Sequence, residues 1–287
     1  MNQRGWLIYS REDAETNKSY IDWFIDEARL QGISLELVLR EELTVGIIQN
    51  KQTIFHKNLI VQLPDFAVIR TIEPLLNKLL ESMGISVYNS SSISSFCNNK
   101  ALTHFHINKL SIPMVDTIFV KRKNLLLTPP MDFPFVVKEN DGRGGNQVYL
   151  INNQQEWKKY FADVSAQELI IQSTKNVQLG KDVRVFVVGN KIIGAVLRES
   201  KSDFRSNYKL GGSATWYSLN HCEKKLINRI IQEFDFGMVG VDFLIDNNGG
   251  MLFNEIEDVV GSRTLSAVSD KNILAEYVAY IKRSGNM

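Results

Sequence analysis

The chain of 287 residues carries 33 Lys and Arg against 32 Asp and Glu, with 44% hydrophobic and 10% aromatic residues, the profile of an ordinary globular protein of one large or two smaller domains. A net charge of +1 argues against a surface built to coat nucleic acid or an anionic membrane, although it leaves room for local patches. Two cysteines, Cys97 and Cys222, exclude a disulfide framework and a Cys-rich zinc cluster, and each is expected as a buried free thiol in a reducing cytoplasm.

The N-terminal run Trp6–Tyr9 is too short for a signal peptide, and no apolar run approaches the roughly 18 residues that cross a bilayer. From there to about Ser95, strands alternate with helices. Trp6–Ser10, Leu35–Leu39, Phe66–Arg70 and Ile85–Tyr88 read as strands. Tyr20–Leu30 and Pro74–Met83 read as helices, the second closed by Gly84. This alternation implies a small, largely parallel α/β layer. Thr44–Ile48 and Thr53–Phe55 read as a hairpin inserted in it. The Ser-rich stretch Asn89–Ser95 has the composition of a linker, and a boundary is placed there.

After a helix at Phe96–Leu110, strand pairs take over: Phe133–Lys138 with Gln147–Ile151, Val183–Val188 with Lys191–Leu197, and Val239–Ile245 with Met251–Ile256. The last two turn at Gly189-Asn190 and Asn247-Asn248-Gly249-Gly250, which is hairpin chemistry. Helices are expected at Gln154–Phe161, Cys222–Phe234 and Asn272–Ile281.

Three signals carry chemistry. In the first, a strand delivers Lys138, and the Gly-rich loop Gly142-Arg143-Gly144-Gly145-Asn146 follows. Glycines let backbone N–H groups approach phosphate oxygens, and the lysine adds a point charge. A hairpin turn with a solvated lysine would read the same way. The second is acidic: Asp242 on one strand, and Glu255 and Glu257 on one face of its partner. If Asp242 lies across the ladder, three carboxylates converge on a site for Mg²⁺; the alternative is an exposed edge of solvated acids. The third is basic, comprising Lys181, Arg184, Arg198, Lys201, Arg205 and Lys209, with a long polar loop over Ser200–Ser218. A solvated charged face is its plain alternative. Between Asn176 and Leu210 there are seven Lys or Arg against three acids, whereas Asp235–Asp258 holds six acids and no Lys or Arg, so the neutral total conceals two opposed patches. The histidines His56, His104, His106 and His221 form no metal cluster by spacing.

In order and spacing, these residues resemble the ATP-grasp carboxylate–amine ligases, in particular the RimK-like branch of ribosomal-protein glutamate ligase type. The likeness runs from about Leu63 to Gly261. It takes in Asp65–Arg70, Asn99-Lys100-Ala101-Leu102, Ile112-Pro113, Lys138 with its loop, Asp182-Val183-Arg184, Asp203–Asn207 followed by Gly211-Gly212, Val241-Asp242, and Asn254–Glu257. It implies α/β and α+β architecture, an ATP-grasp fold with an N-terminal Rossmann-like domain. The expected divisions are an N-terminal domain over 1–95, a central lid over 96–175 and a C-terminal domain over 176–287.

The resemblance further implies ATP with Mg²⁺, or Mn²⁺, as cofactors. Lys100 and Lys138 would bind nucleotide, Gly142, Gly144, Gly145 and Asn146 would cover the phosphates, and Gln172, Ser173, Thr174 and Lys175 would form the connector beside adenine. Arg184, Arg205 and Asn207 would face the triphosphate and an acyl-phosphate, and Asp242, Glu255 and Glu257 would hold magnesium. The implied reaction joins a small-molecule or peptide carboxylate to an amine. No nucleic-acid or membrane partner is expected, and a homo-oligomer is left open.

The chain departs from the family pattern at three places: Ser173-Thr174 replaces an acidic residue followed by an aromatic or apolar one, Leu179 stands where a lysine is usual with Lys181 nearby, and Glu257 replaces a common Asn. These departures keep two other readings open, a nucleotide-binding scaffold without turnover and a phosphotransferase on the same fold. Arg70, at a strand end, is a candidate either for holding an acid substrate or for a structural ion pair.

Overall fold

A computed structural model describes residues 3–140, 142, 147–206 and 212–285. The first layer contains β1 (Arg4–Tyr9), α1 (Arg11–Thr16), α2 (Lys18–Leu30), β2 (Ser34–Leu39), β3 (Leu43–Ile48), β4 (Lys51–His56), β5 (Leu59–Ile60), β6 (Phe66–Ile69), α3 (Pro74–Ser82) and β7 (Ser86–Tyr88). The parallel sheet has the order β2-β1-β6-β7, and β3-β4-β5 form a separate antiparallel sheet between β2 and β6 in the chain. β1 and β6 are buried almost throughout, as befits central strands of a parallel sheet. The expected hairpin is therefore three-stranded.

The Ser-rich stretch expected as a linker is α4 (Ser91–Cys97), capped by Ser90 and buried at Ser91, Ile93, Ser94, Phe96 and Cys97. A separate helix, α5 (Lys100–Lys109), follows; Asn99 breaks the expected single helix because its side chain accepts from the Leu102 N–H as an N-cap. The second sheet is built from β8 (Thr117–Lys121), β9 (Phe135–Glu139), β10 (Val148–Ile151) and β11 (Glu168–Ser173), with α6 (Gln154–Asp163) before β11. Its order is β10-β9-β11-β8. It has its own core of Phe135, Val137, Trp157, Leu169 and Ile171.

The third sheet, β14-β13-β12-β15-β16, uses β12 (Val177–Val188), β13 (Lys191–Glu199), β14 (Ser213–Trp216), β15 (Met238–Asp246) and β16 (Met251–Glu257), with α7 (His221–Ile231), α8 (Arg263–Val268) and α9 (Ile273–Ser284) around it. β14 lies in a segment expected to be loop. Cys97 is buried as expected, but Cys222, on the outer side of α7, is exposed.

The first layer is packed onto the third sheet. Leu7, Phe24 and Ala28 share one core with Phe186, Val188, Tyr277, Val278 and Ile281. Asn89 locks the same junction, since its side-chain amide donates to the Met238 and Asp258 carbonyls at 3.0 and 2.8 Å and accepts from the Gly237 N–H at 2.6 Å. Composition made Asn89 look like the start of a linker, but it is a buried clamp. Asn89→Ala would strand three buried backbone groups at about 1–3 kcal/mol each when unpaired. A loss of at least about 2 kcal/mol is expected, read as a fall of about 4 °C or more in the thermal midpoint.

Candidate functional site

A cavity of about 790 Å³ opens where the three larger sheets meet, a size that suits a nucleotide-sized ligand. Its acidic wall depends on the pairing of β15 with β16. Ile245, Leu244 and Phe243 pair with Met251, Leu252 and Phe253; the register then shifts, so that Asp242 faces Glu255 and Gly240 faces Glu257. The extra residue is Asn254, a β-bulge. As a result, one oxygen of each of Asp242, Glu255 and Glu257 lies within 4.8 Å of the others.

Asp242 is fully buried and would be costly to ionise there without cations. Arg184 supplies a fork, Nε to Oδ1 at 2.7 Å and one terminal nitrogen to Oδ2 at 2.6 Å. Arg198 donates to the same Oδ2 at 2.7 Å and makes its own fork to Asp182 at 2.7 and 2.5 Å. Burial pushes the Asp242 carboxyl up, but Arg184 and Arg198 together outweigh it and hold Asp242 at about 2. The terminal nitrogen of Arg184 also reaches Glu257 at 2.7 Å. Burial pushes the Glu257 carboxyl upward, against the pull of Arg184.

The lysines sit opposite. Lys138 on β9 donates to the Asn254 side-chain oxygen at 2.8 Å. Burial lowers it to about 8, with Glu255 opposing, so an arriving polyphosphate would favour its charged form. Lys100, at the start of α5, donates to the Gly142 carbonyl at 2.5 Å and stands 3.8 Å from Glu255. Behind them lies His104, with Nδ1 donating to the Lys100 carbonyl at 2.7 Å and Nε2 accepting from the Gln172 amide at 3.1 Å. Burial lowers this histidine to about 4, which keeps it a neutral spacer between Lys100 and the connector.

Lys100, Lys138, Gly142, Gln172, Ser173, Thr174, Arg184, Arg205, Asp242, Glu255 and Glu257 all line the cavity. Gln172 spends its amide on His104 and Thr117, while Thr174 bonds the Pro134 carbonyl. Lys175 is exposed and is not part of the lining. Gly144, Gly145, Asn146 and Asn207 lie outside the described residues. Arg205 pairs with Asp203 at 2.7 Å. Their loop is tied to β12 through Gly180, whose N–H donates to the Phe204 carbonyl at 2.8 Å. Gly180 has φ of +77°, and a Cβ there would meet the Ser200 and Asp203 carbonyls at 2.7 and 2.9 Å, so the loop's approach requires glycine. Lys181, two residues beyond Leu179, pairs with Glu199 at 3.1 Å.

The sequence shows Arg198 only as part of the basic segment and Asp182 and Asn254 only as parts of motifs, without the partners the structure gives them. Asp182 faces Arg198 only because a register shift between Phe186 and Val187 interrupts the β12–β13 ladder.

The carboxylates present a hard-oxygen donor set suited to magnesium. Asp242 already accepts three hydrogen bonds from arginines, out of the roughly four a carboxylate offers. Glu255 and Glu257 are therefore the more available ligands. The two kinds of carboxylate separate experimentally. Asp242→Ala would leave two buried guanidinium groups short of a partner and should cost about 3–5 kcal/mol, seen as lost cooperative folding in a melt. Glu255→Ala should melt close to wild type. For His104, nitrogen NMR should show a neutral ring protonated on Nδ1 from pH 8 to 5. The unfolded imidazole takes up its proton near 6.5, so this group's contribution to stability is full above that pH and falls as pH drops towards 4.

Comparison with known proteins converges on one family. The model of the RimK-like ATP-grasp domain matches residues 97–281. The glutamate–LysW ligase ArgX of Sulfolobus acidocaldarius is 26% identical over 235 residues, covering 77% of this chain and 82% of that protein. A probable alpha-L-glutamate ligase of Legionella pneumophila is 28% identical over 215 residues, covering 71% and 69%. The crystal structure of a RimK-domain ATP-grasp protein from Sphaerobacter thermophilus has the same fold, with a TM-score of 0.74 at 16% identity over 96% of this chain and 98% of that one. The chain belongs to the RimK-like ATP-grasp family.

Proposed function

We propose that this chain joins glutamate to a second small molecule or peptide at a cleft formed by three parts, residues 1–95, 96–175 and 176–287. It is an ATP-dependent, ADP-forming carboxylate–amine ligase. Each of the three larger sheets falls within one of those parts, which supports the division. Glutamate comes from the names of two relatives, one acting on LysW.

The observation that carries the reading is the convergence of Asp242, Glu255 and Glu257 with Lys100, Lys138 and Arg184 on one cavity. Two substrate anions and a polyphosphate repel one another, and clustered cations offset that repulsion most effectively in a site shielded from water. Magnesium held by Glu255 and Glu257, with Asp242 behind them, would screen the phosphate charge as the γ-phosphoryl group passes to a substrate carboxylate. Lys138 and Lys100 would bind phosphate oxygens, and Arg184 would neutralise charge on the transferred group. The substrate carboxylate itself attacks, so no nucleophilic side chain is needed, and an amine then displaces phosphate to form the amide. The second sheet, with its own core, would cover the acyl-phosphate and exclude water. Mn²⁺ should replace Mg²⁺, since both favour oxygen ligands. The exposed Cys222 thiol and the need for ATP fit a reducing cytoplasm.

The test is ADP release in the presence of glutamate and a panel of amines, with hydroxylamine as trap. Hydroxamate is expected from wild type. Nucleotide binding without acid-dependent hydrolysis would leave a scaffold, and a stable phosphorylated product would leave a phosphotransferase. Glu255→Ala should keep the fold and lose at least about a hundredfold in turnover, the order seen when one charge-stabilising group is removed; unchanged turnover would contradict the metal assignment.

A further inference from the structure

The parallel sheet of the first layer has a topological switch point. From β1 the chain moves to β2 on one side, and from β6 it moves to β7 on the other, while β1 and β6 are neighbours. Open α/β sheets bind ligands in the crevice beyond the carboxyl ends of such a pair. Here that crevice is bounded by Tyr9-Ser10 after β1 and Arg70-Thr71 after β6, and all four residues line the cavity that holds the carboxylate cluster.

Arg70 is 9% exposed. Its Nε donates to the Tyr9 hydroxyl at 3.2 Å, and one terminal nitrogen donates to the Val260 carbonyl at 2.8 Å. Its charge rests against the rings of Tyr9 and Tyr20, 5.9 and 5.6 Å from the guanidinium carbon. None of the ion pairs among the described residues includes it. Arg184 and Arg198, equally buried, each have a bidentate carboxylate. Among the described residues Arg70 has neutral partners only, and it retains donors from its five N–H groups. Beside it, Thr71 Oγ1 is buried with no hydrogen-bond partner. A buried cation with unused donors, lining the crevice beside a buried hydroxyl that has no partner among the described residues, is costly unless an anion completes it.

Position narrows the anion. Arg70 is tethered to Val260, three residues beyond Glu257, and three residues of chain span at most about 10 Å. An anion on Arg70 therefore lies one small molecule away from the magnesium carboxylates. In the proposed site the phosphates would be met by Lys100, Lys138 and Arg184, which line the same cavity.

We infer that Arg70, with the Thr71 hydroxyl, is the specificity anchor for a carboxylate that is not activated, the free α-carboxylate of the amino-acid substrate. Arg70 grips it through remaining N–H groups while the substrate's other end faces the metal-binding carboxylates. This assignment rests on the ligase reading for its substrate, but its test reads binding alone.

Calorimetry with Mg²⁺ and a nonhydrolysable ATP analogue present would compare L-glutamate with its α-amide on wild type, Arg70→Met and Arg70→Lys. Wild type should bind glutamate about 10- to 100-fold more tightly than the α-amide, the range for a charged hydrogen-bonded contact. Arg70→Met should bind glutamate as weakly as wild type binds the amide and should not distinguish the two. Arg70→Lys should recover part of the preference, since its ammonium keeps the charge and loses the fork. Nucleotide affinity and melting midpoint should not move in Arg70→Lys, which covers the case in which Arg70→Met fails to fold. The anchor is overturned if wild type does not prefer glutamate over its amide, or if Arg70→Lys keeps the full wild-type preference. Arg70-dependent discrimination without hydroxamate formation would sink the ligase reading and leave the anchor; hydroxamate formation with an unchanged preference in both variants would do the reverse.

Discussion

One extra residue in one strand organises this site. Without the bulge at Asn254, the regular pairing of Phe243 with Phe253 would continue and set Asp242 opposite Asn254. Side chains alternate across a strand, so Glu255 and Glu257 would then point to the other face of the sheet. The shift turns both glutamates towards Asp242 and leaves Asn254 to accept from Lys138, which joins the acidic strand pair to the second sheet. A second irregularity, between Phe186 and Val187, does the same for Asp182 and Arg198.

The charges so gathered balance closely. At the carboxylate cluster itself, Asp182, Asp242, Glu255 and Glu257 stand with Lys100, Lys138, Arg184 and Arg198, all of them part of one cavity's lining. Asp242 is the structural member of the set, with both oxygens given to arginines. Glu255 and Glu257 are less committed and more open. A buried pair of this kind contributes little net stability, but breaking it is expensive, so the network fixes geometry more than it holds the fold together. Arg70 takes no part in this network and makes no ion pair among the described residues.

Much of this was legible in the sequence. Period-2 runs with Gly-Asn and Asn-Gly turns marked the two hairpins of the third sheet, and alternating strands and helices marked the parallel layer. The spacing of Glu255 and Glu257, and the Lys138 strand before its glycines, placed acids and bases correctly on their elements. The bulges were not legible, because a one-residue register shift leaves no mark in composition; Asp182 and Arg198 were thus read as parts of a motif and a basic segment, not as partners. Asn89–Ser95 misled because serine and asparagine suit linkers and helix caps alike, and only the buried carbonyls that Asn89 satisfies tell the two apart. Short strands such as β8 and β14 lacked clean alternation.

The parts are not held equally. The first layer shares its core with the third sheet, so Arg70 and the three clustered carboxylates keep a fixed relation, whereas the second sheet has a core of its own. The most direct measurement is a Mn²⁺ titration followed by electron paramagnetic resonance in the presence of ADP, on wild type, Glu255→Ala and Glu257→Ala. If the bulge assembles a cation site, wild type binds the ion and each variant loses at least about tenfold in affinity, equal to about 1.4 kcal/mol, with its melting midpoint intact. Equal affinity in all three proteins would contradict it.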